Sequence, residues 1–246
     1  EPNQKFFGVW TAGIYGLMRR YRDGEEFVRK AERQNPTEAD RFARLLFDLE
    51  LGNGDLAAAR ATSHSSKLAV DPKADATVRY YARDFENALK TIAIAKPDPD
   101  AEDLRDLEAH IYRAQGQEEK AAKVFRQLRK GIMATSKPEA RNEWYYQALA
   151  EVESALGEKD KAINDAVRAM DQHPLATDPA NGTEFVERLA QVYAWTGERD
   201  RAIEQLQILV KVPSPVNYGE LRFNPDWDAL RGDPRFEKLV ALLKPR

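Results

Sequence analysis

One small pattern recurs in the second half of the chain and limits its architecture more than any other feature. It is a turn glycine, an alanine five positions later, and one further helix that ends in a proline or loop. Gly116 precedes Ala121, Gly157 precedes Ala162 and Pro174, and Gly197 precedes Ala202 and Pro213. Successive glycines lie 41 and 40 residues apart, a period that stacked helical hairpins produce. Glycine accepts positive φ at a tight turn, and alanine lets two helices approach closely.

Apolar spacing fills in the helices on either side. Before Gly197, Val186, Leu189, Ala190 and Tyr193 share a face; after it, Ala202, Leu206 and Leu209 form a second stripe. Tyr146, Leu149 and Ala150 with Ala162, Ala166 and Ala169 repeat this around Gly157, and Ala109 and Tyr112 with Ala121, Phe125 and Leu128 around Gly116. Upstream the pattern weakens. Gly54 to Ala59 fits a second helix after Ala43, Leu46 and Phe47, and Asp84 to Ala88 opens another after a shortened first helix. At the N-terminus, Ile14–Tyr21 is expected as a first helix and Gly24–Val28 with Ala31–Pro36 as a second. Lys96–Asp100 and His173 through Thr183 carry the proline and polar clusters of joints.

This arrangement resembles the tetratricopeptide repeat (TPR), a helix-turn-helix unit of about 34 residues. The expected fold is all-α: a right-handed superhelical α-solenoid of about six TPR-like hairpins with a C-terminal capping helix. The units are expected at roughly 5–36, 38–71, 73–97, 102–134, 140–175 and 183–213. Residues 1–217 are read as one repeat domain and 218–246 as its cap, with a break near 97–101 as the weaker option.

The cap is expected from Asp233 as N-cap, Pro234 at the first helical position, and Phe236, Leu239, Val240 and Leu243 as the apolar face. The last hairpin of a solenoid exposes an apolar face that an end piece must cover, and Trp227, Leu230 and Phe236 are the expected plug. The stretch Asn224–Phe236, NPDWDALRGDPRF, is similar to the C-terminal ends of many bacterial multi-domain signalling proteins. There a TPR region follows a Ser/Thr kinase, an adenylate cyclase or a winged-helix regulator. The likeness covers 183–243 and implies a sensory or scaffolding module without catalytic residues. Glu1 in place of an initiating methionine fits a processed protein or an excised piece.

Chemical motifs are sparse. Zero cysteines removes disulfides, thiolate nucleophiles and cysteine metal sites. A net charge of −3 gives no basic stripe for nucleic acid, and no apolar run reaches the roughly 18 residues of a membrane helix. His64, His110 and His173 match no metal or catalytic spacing; no metal, cofactor or enzymatic activity is expected. His110 falls on the inner face of a first helix, where ligand contact and ordinary packing both fit. Gly52-Asn53-Gly54 imitates a dinucleotide fingerprint but lacks its preceding strand, so it reads as a turn. Arg19-Arg20-Tyr21-Arg22 reads as the solvated end of a helix.

The TPR likeness implies a groove lined by first helices that takes a peptide or partner domain. Its phase puts Arg41, Arg44 and Asp48 on that face in the second unit, and Asp106, His110 and Arg113 in the fourth. Trp144, Gln147 and Glu151 follow in the fifth, and Glu187, Gln191 and Trp195 in the sixth. Trp144 and Trp195 are either anchors or inter-hairpin packing. The positions depart from the lysine–asparagine clamp of chaperone-tail binders, and the acidic C-terminal groove is expected to favour a basic or neutral peptide. Self-association that dimerises an attached kinase, cyclase or regulator is the alternative, and a small-molecule or enzymatic domain a third.

Overall fold

A computed structural model describes residues 2–65, 71–95, 102–135, 137 and 141–245. Among them the chain is all-α, without a strand. Six helix pairs follow one another: α1 (Pro2–Leu17) with α2 (Tyr21–Gln34), α3 (Ala39–Asn53) with α4 (Leu56–Ser63), and α5 (Pro72–Tyr81) with α6 (Phe85–Ala95). Then come α7 (Glu102–Ala114) with α8 (Glu118–Thr135), α9 (Glu143–Ala155) with α10 (Lys159–Gln172), and α11 (Pro179–Trp195) with α12 (Arg199–Leu209). The chain ends in α13 (Tyr218–Phe223), a 3-10 segment (Pro225–Leu230) and α14 (Pro234–Leu243). No helix among the described residues is long and apolar enough to cross a membrane. The joint at 96–101 lies outside the described residues.

All six hairpins turn in the same way. A residue with positive φ sits at Arg19, Gly54, Arg83, Gly116, Gly157 and Gly197. The next N–H returns 2.8–2.9 Å to the carbonyl five residues back, as from Asp84 to Arg79 and from Glu198 to Tyr193; this bond closes a Schellman turn. Five residues after each turn stands a small buried residue: Gly24, Ala59, Ala88, Ala121, Ala162 and Ala202. The pattern therefore extends to the weak N-terminal units, with arginine twice in the turn. Tyr21 begins α2 rather than ending α1, and Gly24 is the small packing residue, with Leu49 and Tyr15 about 3.0 Å from where a Cβ would stand.

By its contacts the chain forms two compact units: Glu1–Ala95 with Val212–Asn224 and Val240–Arg246, and Lys96–Lys211 with Pro225–Leu239. In the first unit, Tyr21, Val28, Phe42, Leu46 and Leu49 form one buried cluster, and Ala43, Phe47, Ala59, Ala74 and Val78 another. Here α13 docks on α3. Gly219 comes so close that a Cβ would lie 1.8 Å from Leu51 O, and Tyr81 Oη donates to Glu220 Oε2. Arg19 is not a solvated helix end. It donates to Val216 O at 3.1 Å and Ser214 Oγ at 2.9 Å, fastening the segment that leads into α13.

In the second unit, Ala109, Ala121, Val124, Phe125 and Val152 make the core, flanked by Tyr112, Leu128 and Trp195. The joint before α11 is shorter than its polar residues imply. Asp178 accepts from Asn181 N, Pro179 takes the first turn, and Asn181–Thr183 are already helical. Trp227, Leu230 and Phe236 are all buried. The segment Pro225–Leu230 packs on α11 and α12, and also on α7 two hairpins earlier.

Candidate functional site

Helices α7, α9 and α11 are the first helices of the last three hairpins, and their facing side chains meet in one polar cluster in the second unit. Asp106, His110 and Arg113 occupy successive turns of α7. Glu151 enters from α9, and Arg188, Gln191 and Trp195 from α11. The 3-10 segment adds Asp226.

His110 is the centre. Its Nδ1 lies 3.0 Å from both Asp226 carboxylate oxygens. Its Nε2 lies 3.1 Å from Glu151 Oε1 and 3.6 Å from Asp106 Oδ1. Neither oxygen is aligned for a hydrogen bond, so Nε2 is buried without one. The ring meets Trp195 edge-on at 5.1 Å and Phe125 at 5.9 Å. Trp195 in turn donates its indole N–H to the main-chain oxygen of Asp226 at 3.1 Å, and Arg113 lies 3.9 Å above the indole, a cation–π distance. Arg188 pairs with Glu151 Oε1 and donates to Gln191 Oε1.

These charges set one another. Burial works against a charge on His110, but Asp226 and then Asp106 outweigh it and hold the imidazole well above its ordinary value. Burial likewise opposes ionisation of Glu151, but Arg188 and His110 pull its carboxyl well down. Burial opposes the Arg188 charge, and Glu151 and Asp106 over-compensate.

The remaining groove positions fare differently. Trp144 is 43% exposed and leans on Phe185 at 4.9 Å. Gln147 keeps a buried amide oxygen without a hydrogen bond, and Glu187 is half-buried on α11. Arg41, Arg44 and Asp48 belong to the first unit, where they form ion pairs: Arg41 with Glu38 at 3.3 Å, and Arg44 with Asp48 at 3.4 Å and with Asp71. Thus Asp106, His110, Arg113, Glu151, Gln191 and Trp195 come together, whereas Trp144 packs on Phe185. Arg188 and Asp226 are further members of the cluster that helical phase alone does not pick out. Arg188 is one position off the projected stripe, and Asp226 sits in a segment read only as a plug. They also change the electrostatics: the acidic groove is partly neutralised by His110, Arg113 and Arg188, and the segment lying against it presents a carboxylate.

No family model matches the chain, and no curated protein matches it in sequence. A solved tetratricopeptide repeat protein from Parabacteroides merdae is similar over 95% of this chain and 99% of its own, at 13% identity and a TM-score of 0.44.

Proposed function

We propose that the chain is a non-catalytic interaction scaffold whose last three hairpins hold a short peptide, and that Pro225–Leu230 fills that place in cis. One observation carries this reading. Two first helices grip the segment through both a side chain and the backbone, His110 on the Asp226 carboxylate and Trp195 on the Asp226 carbonyl. Backbone contact fixes a peptide, and a side-chain contact selects it. A partner peptide therefore offers an acidic residue next to an aromatic one, as Asp226-Trp227 does, and competes with the internal segment.

Panning a random peptide library on three forms of the chain tests this. The Asp226→Ala form, checked for folding by circular dichroism, is expected to enrich peptides with an acidic–aromatic pair. The wild type is expected to enrich few, and the folded Asp226→Ala/His110→Gln form none of that class. Enrichment of the same peptides with or without His110, or of none by any form, would remove the groove assignment.

The likeness of Asn224–Phe236 to the ends of signalling proteins supports placing this scaffold within a larger protein of that kind. A second reading, self-association, is favoured by α1, where Trp10, Ile14 and Leu17 are 66%, 51% and 38% exposed, and by Met18 just after it, 48% exposed. Sedimentation of the wild type against Trp10→Glu/Ile14→Glu decides it. A dimer lost in the variant supports that reading, and a monomer at high micromolar concentration removes it.

A further inference from the structure

We infer that Asp106, His110 and Glu151 form a binding site for a divalent transition-metal ion, with Asp226 as the outer carboxylate that orients the histidine. Each offers one donor atom, and the three atoms lie within 4.8 Å of one another. The spacings from Nε2, 3.1 Å to Glu151 and 3.6 Å to Asp106, are close to the roughly 3–3.5 Å between neighbouring ligands on an ion with bonds of about 2.0–2.2 Å. The imidazole is only 9% exposed, and its Nε2 is the buried atom left without a hydrogen bond. It faces two carboxylates without an aligned hydrogen bond, the position from which an ion would bridge all three groups.

The other nitrogen strengthens the case. Nδ1 faces the Asp226 carboxylate at 3.0 Å, the carboxylate–histidine arrangement that leaves Nε2 as the ligating nitrogen once its proton is displaced. Charge points the same way. The imidazole already sits among Asp106, Glu151 and Asp226, and an ion at Nε2 takes the place of its proton. Arg188 pairs with the same Glu151 Oε1, an oxygen that an ion at Nε2 would share with it. One nitrogen and two carboxylate donors suit Zn2+, Mn2+ or Fe2+ better than Ca2+ or Mg2+. A proton on Nε2 is the rival occupant, and the metal has to displace it.

The test is calorimetric titration of the whole chain with ZnCl2 and MnCl2 after stripping with EDTA and exchange into chelator-free buffer. One ion per chain is expected. Affinity is expected to fall about tenfold or more in Asp106→Asn and Glu151→Gln, to fall by about 10–100-fold in Asp226→Asn, and to vanish in His110→Gln. His64→Gln, in the first unit, is expected to keep wild-type affinity. Asp106 is 46% exposed in its side chain, so Asp106→Asn decides the matter if His110→Gln proves unfolded by circular dichroism. No binding up to millimolar metal, or wild-type affinity in the folded Asp106→Asn chain, would overturn the site.

Discussion

Gly54, Gly116, Gly157 and Gly197 share one backbone conformation but differ in what surrounds them. At Gly116, φ is +68° and nothing lies within 4 Å of where a Cβ would stand. Alanine there should cost only the left-handed penalty, about 1–2 kcal/mol, read as a lower urea midpoint. At Gly54 the same atom would meet the Tyr218 ring at 2.7 Å, so Gly54→Ala should cost more than Gly116→Ala. Equal losses would show that Tyr218 does not pack there. Arg83 holds φ of +61° without being glycine, and Arg83→Gly should stabilise the chain or leave it unchanged. His173 offers a second residue-level check. Hydrogen bonding to Asp178, then to Glu143, raises its imidazole above 6.5, and hydrogen bonds from Asn181 and then from His173 hold the Asp178 carboxyl down at about 2. The raised histidine stabilises the fold fully below about 6.5 and loses that effect as pH rises through its folded value. The lowered aspartate stabilises above about 3.8 and loses its effect as pH falls toward 2. An NMR titration should place the His173 midpoint above 6.5 and bring it down in Asp178→Asn; a midpoint at or below 6.5 in the wild type would contradict the pairing.

At the scale of elements, the instructive contrast is between α8, α10 and α12, each announced by Gly-x-x-x-x-Ala, and α13, which sequence reading merged into a cap. α13 is six residues long, too short for periodicity to identify, and its position depends on Gly219 lying against Leu51 O. That is a close approach made for packing, not for a turn, and no local rule signals it. Gly219→Ala should therefore destabilise by about 1–3 kcal/mol, the usual cost of overpacking, measured by urea unfolding; a change within about 0.5 kcal/mol would mean that α13 does not dock so closely. The helix pairs themselves were legible because turn chemistry and apolar spacing agree in each. The first turn was misplaced by its arginine: Arg19 occupies a position that glycine marks in four other hairpins, and its side chain fastens 214–216, nearly 200 residues away.

Across the whole molecule, the C-terminal segment carries most of what the sequence did not disclose. Helical phase brought Asp106, His110, Arg113, Glu151, Gln191 and Trp195 to a common face, because each lies on the first helix of a hairpin. It could not say that Asp226, more than 100 residues beyond His110, would lie against them. Nor could it show the metal-like donor set, since its members come from two hairpins and only Asp106 and His110 have a readable i, i+4 spacing. The cluster requires that His110 and Asp226 act on each other in solution. A double-mutant cycle over His110→Ala and Asp226→Ala, unfolded in urea at pH 7 with EDTA present, reads that coupling directly. The expected interaction energy is about 0.5–3 kcal/mol, the range for buried side chains in contact. Losses that simply add, to within about 0.3 kcal/mol, would mean that His110 does not hold Asp226 and that the segment does not fill the groove.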